Sequence, residues 1–264
     1  MLRFGAITAY ILTALLLLAG CSAKDKTEPP ITDIRLGDLA PINPTVPARP
    51  VQTVLFDFYS LQLPQRNIAA LSDIWPTLYT KPVRLTDPDA FAANSFQLVF
   101  GEVQMWQQTA TLLESAGGRC TDKLRLVLDC GQIDDLVIAA VSQSTDISYL
   151  TSSLSIESIS APPGQLLLKV QVLPVAEARG LCNLNARPVF VPDRSPTPDK
   201  NVTAPQDVSF DALGFSVQMS PGDFLLMGPS TRPSGTDSLG SLFFTTAEHT
   251  QIRLHAIFCS GITD

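Results

Sequence analysis

"VQTVLFDFYSLQLPQRNIAALSDIWPTLY", residues 51 to 79, decides how the middle of this chain is read. In its first half Val54, Phe56 and Phe58 fall on every second position, the period of a strand with one buried face. In its second half Ile68, Leu71 and Ile74/Trp75 recur at helical spacing, with Asn67 placed to cap the helix and Pro76 to end or kink it. One strand followed by one short helix is the prediction.

The following residues repeat the unit. "SFQLVFGE", residues 95 to 102, reads as a strand, and Val103, Trp106, Ala110 and Leu113 form a helical stripe that Gly117-Gly118 stops. With "KPVRL" before them and "KLRLVLD" after, the order is strand, helix, strand, strand, helix, strand. Each half carries a tryptophan on its helix, so the two resemble an internal duplication. The order is that of the split βαβ arrangement of ferredoxin-like domains, a four-stranded sheet with two helices on one face. Residues 51–130 are therefore expected to form an α/β module, which by itself names no function.

Beyond Cys130 the helical period disappears. "DLVIAAVSQ", "DISYL", "SLSIESIS", "QLLLKVQVL", "RPVFV", "FSVQM", "DFLLM", "SLFFTT" and "IRLHAIFC" are short alternating or apolar runs between turn residues. In "QLLLKVQVL" Leu166, Leu168, Val170 and Val172 share one face while Lys169 and Gln171 take the other. Residues 131–264 are expected to bury such faces in an antiparallel β-sandwich or barrel-like domain, which makes the whole chain α+β. "MSPGDFLLMGPS" stands out, because its strand Phe224 to Met227 is apolar on both sides and so suits the core. Its turn-strand-glycine order is similar to units in the β-domains of secretins and their periplasmic associates, as architecture and not as a motif. Pro192 to Pro205 is a polar, proline-rich loop, whose Asn201-Val202-Thr203 matches a glycosylation acceptor.

Upstream of Val51 lie six prolines, at positions 29, 30, 41, 44, 47 and 50. Proline locks φ and removes a donor, so residues 21–50 are expected to act as an extended tether. Before them, Phe4 to Ala19 carries no charge, follows Arg3 and ends in Ala19-Gly20. That is the pattern of a secretory signal peptide over residues 1–20, shorter than the run of about 18 or more that suggests a spanning helix. Leu18-Ala19-Gly20-Cys21 resembles the lipobox of bacterial lipoproteins. The resemblance covers residues 1–21 and implies a lipid on Cys21, membrane attachment through more than one acyl chain, and a place in the cell envelope. Ser22, where an aspartate would suggest inner-membrane retention, favours the outer membrane facing the periplasm.

Composition narrows the partners. The 264 residues are 45% hydrophobic and 16% charged with a net charge of −7, which becomes −8 without Arg3. An acidic surface without Lys/Arg clusters offers no footprint for nucleic acid, and membrane attachment must come from the lipid. The expected partners are other envelope proteins. Cys120, Cys130, Cys182 and Cys259 form an even set in a chain bound for an oxidising compartment, and four cysteines allow three pairings. If 123–129 is extended throughout, Cys120 and Cys130 end about 30 Å apart, well beyond the roughly 7 Å limit for a disulfide.

No constellation of catalytic residues emerges. Only His249 and His255 could serve as histidine ligands and no cysteines have zinc spacing, so neither metal nor cofactor is expected. His255 shares its alternating face with Arg253, which predicts a partly exposed side chain; His249 falls in a turn. "GTDSLGS" offers Ser238 as a nucleophile with His255 as base, but the glycine elbow and the strand-turn-helix context are missing. Asp134 and Asp135 are neighbours on a strand and point to opposite faces. The reading that follows is a non-catalytic interaction unit in an envelope assembly. A lipoprotein binding a small ligand or cell-wall component is the alternative, and a serine hydrolase a distant third.

Overall fold

β1 (Thr53–Pro64) is the strand around which the rest is arranged, because both of its faces are apolar. Val54, Phe56 and Phe58 enter one hydrophobic cluster, while Tyr59, Leu61 and Leu63 enter another. The computed structural model describes residues 53–175, 180–193, 206–233, 235 and 237–263. The expected signal peptide, Cys21, the tether and the Asn201 acceptor lie outside those residues.

β1 is flanked by β4 (Arg119–Asp129) and β13 (Gln251–Thr263), both antiparallel to it. β12 (Phe224–Pro229) and then β3 (Phe96–Gly101) extend the sheet, giving the order β3-β12-β13-β1-β4. A second antiparallel sheet runs β2 (Arg84–Leu85), β11 (Phe215–Met219), β9 (Cys182–Pro192), β8 (Gly164–Pro174) and β5 (Ile133–Val141), with β10 (Val208–Ser209) also paired to β9. A separate hairpin joins β6 (Thr145–Leu150) to β7 (Ile156–Ala161). Inward residues of the two sheets, among them Phe56, Leu128 and Ile257 against Leu168, Val170, Leu184 and Val217, share a single core. The protein is an antiparallel β-sandwich, in which alternate residues of each strand bury one face.

Helices form a third layer on the outer face of the five-stranded sheet. α1 (Leu71–Ile74), flanked by 3-10 turns at 65–70 and 75–77, and α3 (Val103–Ser115) bury Leu71, Ile74, Trp106, Ala110 and Leu113 against Leu61, Phe224, Leu254 and Phe258. α2 (Pro88–Ala93) lies between these helices in the chain, capped by Asp87, whose carboxylate accepts the Ala90 amide at 2.9 Å. α3 ends as its glycines predict. Gly117 has φ +80, its amide donates to Glu114 O at 2.9 Å, and that of Gly118 donates to Leu113 O at 2.7 Å, the two bonds of a Schellman cap. Asn67 does not cap α1 as expected. Its amide donates to Ala116 O at 2.8 Å and ties the first helical segment to the end of α3.

The ferredoxin-like arrangement is not what forms. β12 and β13 stand between β1 and β3, β3 runs opposite to β1, and "KPVRL" supplies only β2, which belongs to the other sheet. The cause is at the far end of the chain. β13 is apolar on both faces and pairs along the whole length of β1, taking the central position that local order assigns to β3. The described residues all fall within one compact unit, and the boundary expected after residue 130 instead lies at the turn leading from β4 in one sheet to β5 in the other. "SLFFTT" is also corrected. It is helical, as α4 (Leu239–Phe244), because Ser238 accepts the Ser241 amide at 3.2 Å as N-cap and the apolar run is buried on all sides.

Candidate functional site

β4 and β5 end their respective sheets and are consecutive in the chain, so two strand edges adjoin at one turn. Leu124 is 43% exposed, Val127 55%, Ile133 55% and Val137 56%. Four of the seven large hydrophobic side chains exposed among the described residues therefore sit on these two strands. An edge strand offers unpaired backbone N–H and C=O groups to an incoming strand, and apolar side chains add pockets for its residues.

Charge restricts which strand can dock there. Asp57 on β1 lies opposite Arg125 on β4, and its carboxylate accepts from Arg125 Nε at 2.7 Å, from the guanidinium again at 3.1 Å and from the Ser260 hydroxyl. Burial pushes the Asp57 pKa up, but the hydrogen bonds from Arg125 and Ser260 outweigh it and hold the carboxyl below its usual value. Lys123 lies with its ammonium 5.5 Å from the Tyr59 ring centre. Two of the three cations on β4, Lys123 and Arg125, are thus held against β1, and charge on an edge strand guards it from unselective pairing.

Asp57→Ala is expected to cost about 1–2 kcal/mol at pH 7, a modest figure because the Arg125 side chain is largely exposed and solvent screens the pair. A depressed carboxyl stabilises above its unfolded pKa, so this contribution is complete above about pH 4 and disappears as pH falls through the folded value. Urea unfolding of parent and variant at pH 7 and at stepped pH below 4 checks it, the two converging in acid.

A second surface lies on the outer face of the six-stranded sheet. Lys169, Gln171, Asn185, Arg187 and Ser216 project there from β8, β9 and β11, and with Arg84 line a shallow trough of about 520 Å³. An adjoining depression of about 460 Å³ shares Arg84 and Ser216 and adds Lys81, Asn183 and Gln218. Lys169 is paired with Asp135 at 3.9 Å and Asp207 at 3.7 Å, and Arg187 with Asp211 at 3.6 Å; Arg84 makes no salt bridge to a described residue. The arrangement can offer amide and guanidinium donors to a polar or anionic ligand.

The histidines and serines behave differently from expectation. His255 is buried, at 1% exposure, because the face it shares with Arg253 is the sandwich interior and not the surface. Its ring stacks on Phe58 at 5.3 Å and 17°, and among the described residues neither ring nitrogen has a hydrogen-bond partner of good geometry. Burial, and then the Arg253 charge, push its pKa down to about 3, against a weak opposing influence of the nearby Phe243 backbone. Ser238 caps α4 and makes no hydrogen bond to His255. What sequence reasoning missed is a chain of contacts in which Thr245 Oγ1 lies 3.2 Å from both Ser241 Oγ and His249 Nδ1. The spacing of four residues between each member was its signal. Ser241 is 2% exposed, which keeps substrate from its hydroxyl.

Of the cysteines, Cys120 lies in the cluster on the helix side, its thiol donating to Asp122 O at 3.5 Å. Cys182 and Cys259 are in the sandwich core and Cys130 is half-buried on the β4–β5 turn. Among the described residues no group of three His, Cys, Asp or Glu side chains converges, and no helix is long and apolar enough to cross a membrane.

Fold and surfaces together define a β-sandwich with a helical layer on one sheet, a class of architecture shared by many functions. No protein-family model matches the chain, and no curated protein does so either.

Proposed function

We propose that this chain is a lipid-anchored protein of the bacterial cell envelope, held by Cys21 at the outer membrane facing the periplasm, and that it serves as a non-catalytic interaction unit. The β4–β5 edge is its docking surface, and the partner is an extended segment of another envelope protein that adds a strand to β4. The observation that carries this is the concentration of exposed Leu124, Val127, Ile133 and Val137 on two adjoining edge strands. The lipobox resemblance supplies the location.

The test is the mass and composition of the complex recovered when the tagged full-length protein is extracted from membranes in mild detergent. A stoichiometric partner is expected with the parent. The Leu124→Asp/Val127→Asp pair should lose it at least tenfold while Tm stays within about 2 °C, since exposed substitutions rarely exceed about 0.5 kcal/mol each. A parent recovered as a clean monomer overturns the proposal. Cys21→Ala should move the protein from the membrane to the soluble fraction.

The trough on the six-stranded sheet favours a second reading, the holding of a small polar ligand or cell-wall fragment. Calorimetric titration with soluble cell-wall fragments tests it, heat being lost in Arg84→Ala if the trough is the site.

A further inference from the structure

Cys182 and Cys259 belong to different sheets, yet one short stretch of backbone brings them together. Met219, the last residue of β11, is paired with Cys182 at the start of β9, and Cys182 Sγ approaches Met219 O at 3.6 Å. After Met219 the chain turns through Ser220 to Asp223 and enters β12 in the other sheet. Within that turn the Gly222 amide donates to Cys259 O at 2.8 Å, and the Cys259 amide donates to Asp223 O at 2.9 Å. Facing sheets ordinarily stand about 10 Å apart, and at this corner the chain crosses from one to the other in four residues. Both side chains are 0% exposed and belong to the same core cluster. The neighbouring Cys182 thiol, and then burial, hold the Cys259 thiol well above its ordinary pKa.

We infer that Cys182 and Cys259 are the disulfide pair of this protein, a staple between the two sheets. Sheet topology and burial sort the other cysteines. Cys120 faces the helical layer on the opposite side of the five-stranded sheet. Cys130 is near Cys182, through the Gly131 amide bonded to Val172 O at 2.8 Å, but it is half-buried on a turn. The bond forms as two S–H bonds break, the Sγ atoms join, and the two hydrogens pass to a disulfide-bearing oxidant, which leaves as two thiols. Attack requires a thiolate. In the folded chain both thiols are buried, so oxidation belongs to folding, before the core closes.

The inference rests on the export reading for the oxidising compartment, and the experiment separates the two. The reduced, denatured full-length chain is refolded in detergent with oxidised and reduced glutathione, alkylated and digested without reduction. The expected product is a linked peptide pair containing Cys182 and Cys259, a loss of two hydrogens, and alkylation at Cys120 and Cys130. The Cys120→Ser/Cys130→Ser chain should form the same bond, and Cys182→Ser should form none involving Cys259. A predominant Cys130–Cys182 bond, a bond to Cys120, or four alkylated thiols in the refolded parent overturns the pairing. The same map is made on protein quenched with alkylating agent in intact cells. A bond formed in refolding but absent there keeps the pairing and overturns the export reading.

Discussion

Trp106→Ala should lower the unfolding free energy by about 3–5 kcal/mol, the range for truncating a large aromatic in a packed core. Trp106 is 0% exposed, and its ring meets Phe224 at 5.1 Å and 77° and Phe258 at 4.7 Å and 86°, both edge-to-face. Those partners come from β12 and β13, the strands that separate β1 from β3. The tryptophan thus fastens the helical layer to the middle of the five-stranded sheet, and its removal leaves a cavity lined by rings that cannot collapse without moving two strands. The loss should fall mainly on the midpoint of denaturant unfolding, with the slope unchanged. Trp106→Phe should recover more than half of it. A variant within about 1 kcal/mol of the parent would mean that α3 contributes little to the core.

The second large effect is acid lability centred on His255. The folded pKa, near 3, is below the unfolded value of about 6.5. Between those values the unfolded chain binds a proton that the folded chain does not, so stability falls as pH falls, by about 1.4 kcal/mol per unit. From pH 6.5 to 4 the contribution amounts to roughly 3 kcal/mol. Its cause is the burial of an imidazole between Phe58 and Phe244, where Arg253 adds a like charge to any proton taken up. His255→Leu removes the titrating group. The difference between variant and parent should therefore grow in the variant's favour as pH drops, while carboxylates common to both cancel. Urea midpoints at pH 7, 6, 5 and 4 read it directly. A constant difference would mean that the ring is reached by water or held by a partner.

These two residues also show how legibility varied along the chain. Trp106, Ala110 and Leu113 were readable as the buried stripe of a helix because the 3.6-residue period repeats over a full α3. The strand alternation of β1, β8 and β13 was readable for the corresponding reason. The burial of His255 is not legible in the sequence, because alternation says which residues share a face and not which face is covered. Arg253 suggested solvent, but its guanidinium reaches inward to donate to Ile138 O at 2.9 Å. "SLFFTT" looks like a strand because a short apolar run buried on all sides carries no period, and the capping role of Ser238 is the one local signal of a helix.

The candidate surfaces divided in the same way. That edge strands would be the contacts could be reasoned from a β-rich chain, but which strands form the edges depends on the pairing order. β4 is an edge because it pairs only with β1, and β5 because it pairs only with β8, in the other sheet. The trough likewise required β8, β9 and β11 to lie side by side, since its cations are spread over residues 84 to 187.

By itself the sequence determined the elements that depend on near neighbours: strand and helix periods, the glycine cap of α3, the apolar strand at Phe224, and the acidic balance of the chain. Only the tertiary structure decided which strands pair, which faces are buried, and which cysteines meet. The physical reason is that side-chain period and backbone preference act over a few residues. The free energy that orders these sheets comes instead from burying residues such as Phe56 and Ile257, which are far apart in the chain and show their common purpose only when they touch.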